Sequence, residues 1–289
     1  MNIKEAIVGA TARLAEEPIG PPRMAAETLM MFTLGCDRAH LFAHPERPLT
    51  PDEQSRFEDA VVQRASGKPL QYITGVQEFW GLEFVVSPAV LIPRPETEHL
   101  VSAALEKVAE LNIDQPRIID VGTGSGCVAL ALASELPEAE IEAVDISSVA
   151  LEVAKTNAQR LDLAARVNLY ESDLLTGARG AYDFVVSNPP YVGRCESDKV
   201  QKEVREHEPD VAVFGGEQGL DIYRRLIPQA WEKLKPGGWL LMEIGFSIEA
   251  QVKDLLSDWS EVSSVPDLQG IPRVVMARRL SGPLHLVSK

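Results

Sequence analysis

From about residue 94 to residue 280 the chain repeats one pattern: a short apolar run, a turn, then an amphipathic stretch. Ile118-Ile119-Asp120-Val121 is the first run, followed by glycines and an apolar helix over 128–136. Further runs at 141–145, 167–170, 182–186, 239–244 and 273–278 predict strands, with helices at 148–161 and 219–234 among them. Lys235-Pro236-Gly237-Gly238 supplies a stop-and-turn signal after the second of these helices. Strands that are apolar throughout are buried on both faces. Their alternation with helices implies an α/β fold, a mainly parallel Rossmann-like sheet. Ligands in such sheets sit outside the carboxyl ends of the strands, so the residues just after each strand carry the function.

The remainder is different. Residues 1–70 read as all-helical. Ala25, Leu29 and Phe32 share one helical face, as do Phe57, Val61 and Ala65, and Thr50-Pro51 suits a helix start. Residues 71–93 contain Phe79-Trp80-Gly81-Leu82-Glu83-Phe84-Val85-Val86, an aromatic and β-branched stretch that predicts a β-hairpin linker. The expected organisation is a helical domain over 1–70, a hairpin over 71–93 and a catalytic sheet domain over 94–280.

Gly122-Thr123-Gly124-Ser125-Gly126 sits where the first sheet strand turns into its helix. Glycines there let a ligand lie against the backbone. Position 127 is cysteine, so the G-x-G-x-x-G dinucleotide pattern fails, and no Gly-Lys-Ser/Thr follows to make a P-loop. Asp145 ends the next strand, where a carboxylate accepts two hydrogen bonds from a ribose diol and repels a phosphorylated ribose. The expected ligand is a nucleoside with a bare ribose, and S-adenosyl-L-methionine fits. Asp173, after the third strand, is placed to accept from an adenine amine.

Asn188-Pro189-Pro190-Tyr191 directly follows the fourth strand and opens onto the same edge. Two prolines stiffen the chain and remove two N–H donors, leaving the Asn188 side-chain carbonyl and the Pro189 backbone carbonyl as fixed acceptors. Acceptors without a strong base suit a planar NH₂ group as nucleophile. Two hydrogen bonds hold its protons while the nitrogen attacks a methyl group. The Tyr191 ring offers a face to a sulfonium cation.

The glycine loop, the ribose acid and Asn188-Pro189-Pro190-Tyr191 together resemble a class I S-adenosylmethionine-dependent methyltransferase acting on a planar nitrogen. Gly67-Lys68-Pro69-Leu70-Gln71-Tyr72-Ile73-Thr74-Gly75, Leu91-Ile92-Pro93-Arg94-Pro95-Glu96-Thr97-Glu98 and Gly219-Leu220-Asp221 narrow the resemblance to the release factor glutamine methyltransferase (PrmC/HemK) family. The resemblance implies N5-methylation of the glutamine in the Gly-Gly-Gln loop of class I peptide chain release factors. It implies cofactor contacts at Gly122 to Gly126, Asp145 and Asn188, and glutamine contacts at Asn188 to Tyr191. Where some members place a tryptophan over the adenine, this chain has Leu174.

Two relatives of that chemistry remain as alternatives. A ribosomal-protein glutamine methyltransferase shares it, but Pro93 to Glu98 favour the release-factor branch. A DNA adenine-N6 methyltransferase uses a similar tetrapeptide on a flipped base. Lys plus Arg is 28 against 43 Asp plus Glu, a net charge of −15 that repels a phosphate backbone, so no direct nucleic-acid partner is expected. His40 and His44 stand four apart without an H-E-x-x-H pattern, and no metal is expected there. Cys127 reads as a packing residue, and Glu206-His207-Glu208-Pro209 as a solvated turn. Three scattered cysteines, no membrane-length apolar run and no signal-peptide core lead to the expectation of a cytoplasmic monomer.

Overall fold

A computed structural model describes residues 1–16 and 20–280. The chain divides into two compact units, Met1–Val76 with Gln201–His207, and Gln77–Val200 with the chain from Glu208 onward.

The first unit consists of α1 (Ile3–Leu14), α2 (Pro22–Leu34), α3 (Arg38–Ala43), α4 (Pro51–Ala65), α5 (Leu70–Thr74) and a late helix, Lys202–His207. Local chemistry starts these helices. Asn2 and Glu5 form a reciprocal capping box on α1, and Thr50 and Glu53 do the same on α4, with Pro51 in its first turn. Ile3, Leu14, Leu29, Met30, Phe57 and Val61 meet in the core. Ala25 and Leu29 are buried as their spacing predicts, but Phe32 is 49% exposed, at the rim of the buried arc of α2. The late helix joins this unit through Arg64, whose guanidinium donates to Glu203 at 2.7 Å and is itself buried. Residues 71–74, grouped with the hairpin from sequence, belong to α5.

The second unit opens at Gln77 within a hairpin of β1 (Val76–Phe79) and β2 (Leu82–Val85). Trp80 and Gly81 both take the left-handed conformation that a two-residue turn of this kind requires. Then follow α6 (Glu98–Leu111), β3 (Arg117–Val121), α7 (Cys127–Glu135), β4 (Glu140–Asp145), α8 (Ser148–Arg160), β5 (Val167–Glu171) and β6 (Tyr182–Ser187). After the late helix, which is α9, come α10 (Asp210–Val213), α11 (Asp221–Lys233), β7 (Leu234–Glu243), α12 (Glu249–Leu255), β8 (Ser260–Pro266) and β9 (Pro272–Arg278).

The seven-stranded sheet runs β5-β4-β3-β6-β7-β9-β8. The five strands from β5 to β7 are parallel, and β9 and β8 continue the sheet antiparallel. Leu100, Leu130 and Phe184 belong to the core on one side, and Tyr223, Leu226 and Val252 to the core on the other. This is the expected doubly covered, Rossmann-like sheet. It differs in two places. Lys235-Pro236-Gly237-Gly238 lies inside β7, where the pairing with β6 shifts register, and β8 was not foreseen. No helix among the described residues is long and apolar enough to cross a membrane.

The hairpin is tied to the sheet domain by its core residues Phe79 and Phe84, by hydrogen bonds from Trp80 to Glu98 and Glu135, and by one fully buried polar side chain. Asn157 of α8 is fully buried. Its Oδ1 accepts from Val85 N at 2.7 Å, and its Nδ2 donates to Val85 O at 3.0 Å and to Ser125 O at 2.9 Å. Asn157→Ala strands backbone groups away from water, each costing about 1–3 kcal/mol. We expect calorimetry to show a melting temperature lower by on the order of 5–10 °C. An unchanged value would mean that the hairpin is held by other contacts.

Candidate functional site

Strand register puts the predicted residues in one row. Val121 of β3 pairs with Val144 of β4 on one side and with Ser187 of β6 on the other, and Ser187 pairs with Met242 of β7. The glycine loop, Asp145, Asn188 and Glu243 therefore leave the sheet at the same edge. The strand order changes direction beside β3, which is where open α/β sheets form their crevice.

The loop is anchored from below and open above. Gly122 N and Thr123 N both donate to Val144 O, at 2.8 and 2.9 Å. Gly122 and Gly124 have φ of 75° and 56°, and a Cβ on either would meet nothing within 4 Å among the described residues. Gly126 differs: a Cβ there would press on Leu130 and Ala154 at 3.1 and 3.3 Å, so this glycine lets α7 pack against α8.

Asp145 accepts from Gly124 N and Ser147 N, both at 2.9 Å, one on each carboxylate oxygen. Burial pushes its pKa up, while the N–H groups of Ser147, Gly124 and Ile146 oppose the shift. Each oxygen keeps lone-pair capacity for a further donor. Asp120 is buried beneath the loop. Burial pushes it up to about 7 against the hydrogen bond from the Thr123 hydroxyl at 2.6 Å and the N–H of Ala129, with the charge of Asp145 adding to the rise.

One cavity gathers Gly122 to Ser125, Asp145, Asp173, Leu174 and Asn188 to Pro190. Arg94 and Thr97 also line it; Gly126, Tyr191 and Glu96 do not. Asp173 stands at the wall with its carboxylate engaged by Arg225 at 2.6 Å. Asn188 donates from Nδ2 to Thr97 Oγ1 at 3.0 Å. Its Oδ1 is the acceptor that remains. Tyr191 directs its hydroxyl to Glu243 at 3.3 Å, and burial raises its pKa above the usual phenol range. Cys127 is on the cavity wall with its thiol pushed up to about 12 by burial, in keeping with packing and against a nucleophilic role. No cluster of three or more side chains suited to a metal ion occurs among the described residues.

Sequence reasoning missed three residues here. Glu208, read as part of a solvated turn, is buried, and it accepts from Ile92 N at 3.2 Å and from the Arg94 guanidinium. It is buried because a cation and a backbone donor meet it there. Arg225 reaches the cavity from α11. Glu243 ends an apolar strand at this edge, as Asp145 does; a carboxylate after Trp239-Leu240-Leu241-Met242 was the available signal.

Comparison with known proteins gives matches over both units. Residues 5–75 match the PrmC N-terminal domain family and residues 98–217 the methyltransferase small domain family. A release factor glutamine methyltransferase of Koribacter versatilis is 54% identical over 96% of this chain and 99% of its own. One from Geobacter sulfurreducens is 41% identical over 92% of each chain. Among solved structures, a methyltransferase from Pyrococcus furiosus superposes with a TM-score of 0.53 at 16% identity, covering 78% of this chain and 99% of that one. That likeness speaks to the fold.

Proposed function

The chain belongs to the release factor glutamine methyltransferase family, and from that premise we propose that it methylates the glutamine side-chain nitrogen in the Gly-Gly-Gln loop of class I peptide chain release factors. The observation that carries this reading is a single cavity shared by the glycine loop, Asp145 and the Asn188-Pro189-Pro190 backbone. S-adenosylmethionine, when bound, supplies a methyl group made electrophilic by a sulfonium centre.

The residues present fit that group. Two glycines leave the loop face free, and Asp145 has capacity for a ribose diol, which a phosphorylated ribose would lose to repulsion. Asp173 keeps acceptor capacity toward an adenine amine beside Arg225, and Leu174 gives an apolar wall. Asn188 Oδ1 and the Pro189 carbonyl accept the two amide protons of the substrate glutamine. This holds the NH₂ group and favours its pyramidalisation. The glutamine nitrogen would gain the methyl carbon as the carbon–sulfur bond breaks, with the bonding pair left on sulfur, and would release one proton to water, giving N5-methylglutamine and S-adenosylhomocysteine. Tyr191 shapes this site from behind, through its hold on Glu243, rather than from the cavity wall. The test is labelled S-adenosylmethionine with purified release factor, followed by peptide mapping. Label on the Gly-Gly-Gln glutamine is expected; label only on a ribosomal protein or on DNA adenine in parallel reactions would overturn the reading.

Asp145→Ala should weaken S-adenosylhomocysteine binding. Charge-assisted hydrogen bonds to the diol are worth about 1.5–3 kcal/mol, roughly ten- to a hundred-fold in affinity. The substitution also frees Gly124 N and Ser147 N, so the loop loses its brace. Calorimetry with unchanged affinity would remove Asp145 from the ribose.

Two acceptors hold a glutamine weakly, so a protein substrate is positioned by remote contacts. We assign these to the helices of residues 1–70, which carry none of the cavity's residues. Intact release factor should then be methylated about tenfold or more faster, in kcat/KM, than a peptide spanning its glutamine loop. A chain starting at Gln71, if circular dichroism shows it folded, should lose that preference and keep cofactor affinity. Equal rates for peptide and protein with the full chain would remove the recognition role. We read the chain as a monomer in the cytoplasm, where scattered cysteines stay reduced.

A further inference from the structure

Behind Asn188 lies a polar network with no part in the chemistry described so far. Thr97 and Glu243 are each 2% exposed. Thr97 Oγ1 accepts from Asn188 Nδ2 at 3.0 Å, and the Thr97 hydroxyl faces the Glu243 carboxyl. Tyr191 donates to Glu243 Oε1 at 3.3 Å, while Oε2 has no hydrogen-bond partner among the described residues. The backbone of Glu243 is fixed at the end of β7, paired with Val274 of β9 and accepting from the Tyr223 hydroxyl at 2.7 Å.

The direction of hydrogen bonding in this network is set by the acid. An ionised carboxylate only accepts. Thr97 has one hydrogen, and if it is given to Glu243, the threonine oxygen is left to accept. Asn188 must then present its NH₂ to Thr97 and its carbonyl to the cavity. Without an obligate acceptor behind it, Thr97 is free to donate to Asn188 Oδ1. The carboxamide would then turn over and offer NH₂ to the NH₂ of the substrate, donor against donor.

Resting on the glutamine-methylation reading, we propose that Glu243 is a positioning residue for amide methylation: through Thr97 it orients the Asn188 carboxamide with its carbonyl toward the substrate, and through Tyr191 it anchors the tetrapeptide. Its ionised form is the working one. Burial pushes Glu243 up to about 7, against the hydroxyls of Thr97 and Tyr191; the charged and titratable groups facing it are Tyr191, Tyr223, Cys127, Glu96 and Arg273. The orienting effect is therefore present above that value and lost as pH falls through it.

Glu243→Gln tests this, because glutamine keeps the shape but can donate as well as accept. We expect kcat to fall about tenfold or more, as for loss of a preorganised partner. KM for release factor and affinity for S-adenosylhomocysteine should stay within about twofold. The wild-type fall in kcat below about pH 7 should be absent in the variant. Thr97→Val should match that loss without adding to it in the double variant, and Thr97→Ser should restore most of the rate. Wild-type kcat in both Glu243→Gln and Thr97→Val would overturn the proposal. So would losses matched by weaker cofactor binding and a lower melting temperature, which mark a structural role. Should Glu243→Gln fail to fold, the nearly isosteric Thr97→Val with Thr97→Ser decides. A wild-type enzyme that leaves the glutamine unmethylated is a different result, and overturns the function itself.

Discussion

Asn188→Ala is expected to turn over about 10²–10³-fold more slowly than the wild type, the loss typical of one preorganised transition-state partner, while remaining folded and still binding S-adenosylhomocysteine through the glycine loop and Asp145. The separation follows from where the parts stand. The glycine loop leaves β3 and Asp145 ends β4, whereas Asn188 follows β6. Removing its side chain takes away one of two acceptors for the substrate amide and leaves the loop's anchors on Val144 intact. Asn188→Asp is the sharper companion. It retains an acceptor, but its carboxylate and that of Glu243 then compete for the single hydroxyl hydrogen of Thr97. One of the two acids goes without the Thr97 hydrogen, and a negative charge is added beside the reacting centre. The aspartate variant should therefore fall between alanine and wild type. Single-turnover rates at saturating cofactor measure both. Wild-type rates in both variants would reduce Asn188 to a turn residue.

What could be read from the sequence was what is local in it. The parallel strands are buried on both faces, so Ile118 to Val121 and Phe184 to Val186 stand out as short apolar runs. Asp145 and Asn188 were visible because each directly follows such a run. β8 was not, because Ser260-Glu261-Val262-Ser263-Ser264-Val265-Pro266 is an edge strand with one neighbour, β9, and little apolar surface to bury. Other features join residues far apart in the chain. Arg64 and Glu203 meet across 139 positions and draw α9 into the helical unit, and no periodicity announces that. Arg94 with Glu208, and Thr97 with Glu243, are of the same kind: each residue alone reads as an exposed polar group, and only folding pairs it. Gly126 shows the reverse error. It shares a pattern with Gly122 and Gly124, but the crowding of Ala154 gives it a packing task.

Gly219→Ala should be the most damaging substitution outside the cavity. The tetrapeptide keeps its place only if the chain around it is held, and residues 213–219 lie against that chain. Gly215 N donates to Val192 O at 3.0 Å, and Val192 N to Val213 O at 3.1 Å, so the chain beyond Tyr191 runs against this segment. A Cβ on Gly215 would come within 2.2 Å of Pro190 O, and one on Gly219 within 2.2 Å of Tyr191 O. Backbone cannot swing aside as a side-chain tip can. Gly219 also sits at φ 75°, which costs an L-residue about 1–2 kcal/mol. Overpacking adds about 1–3 kcal/mol. The strain is relieved most directly by shifting Tyr191 and, with it, Asn188 and Pro189. A displacement of about 1 Å in a positioning group can cost around a hundredfold in rate. We therefore expect kcat to fall by about that factor with cofactor affinity retained, since Gly122, Gly124 and Asp145 lie on other strands. Gly270→Ala separates the two causes. Gly270 has φ 80° but open space around its Cβ, so alanine there should carry the backbone cost alone and leave kcat unchanged. If Gly219→Ala lowers the melting temperature as Gly270→Ala does and spares kcat, the position of the tetrapeptide backbone does not set the rate, and Asn188 works through a mobile side chain instead.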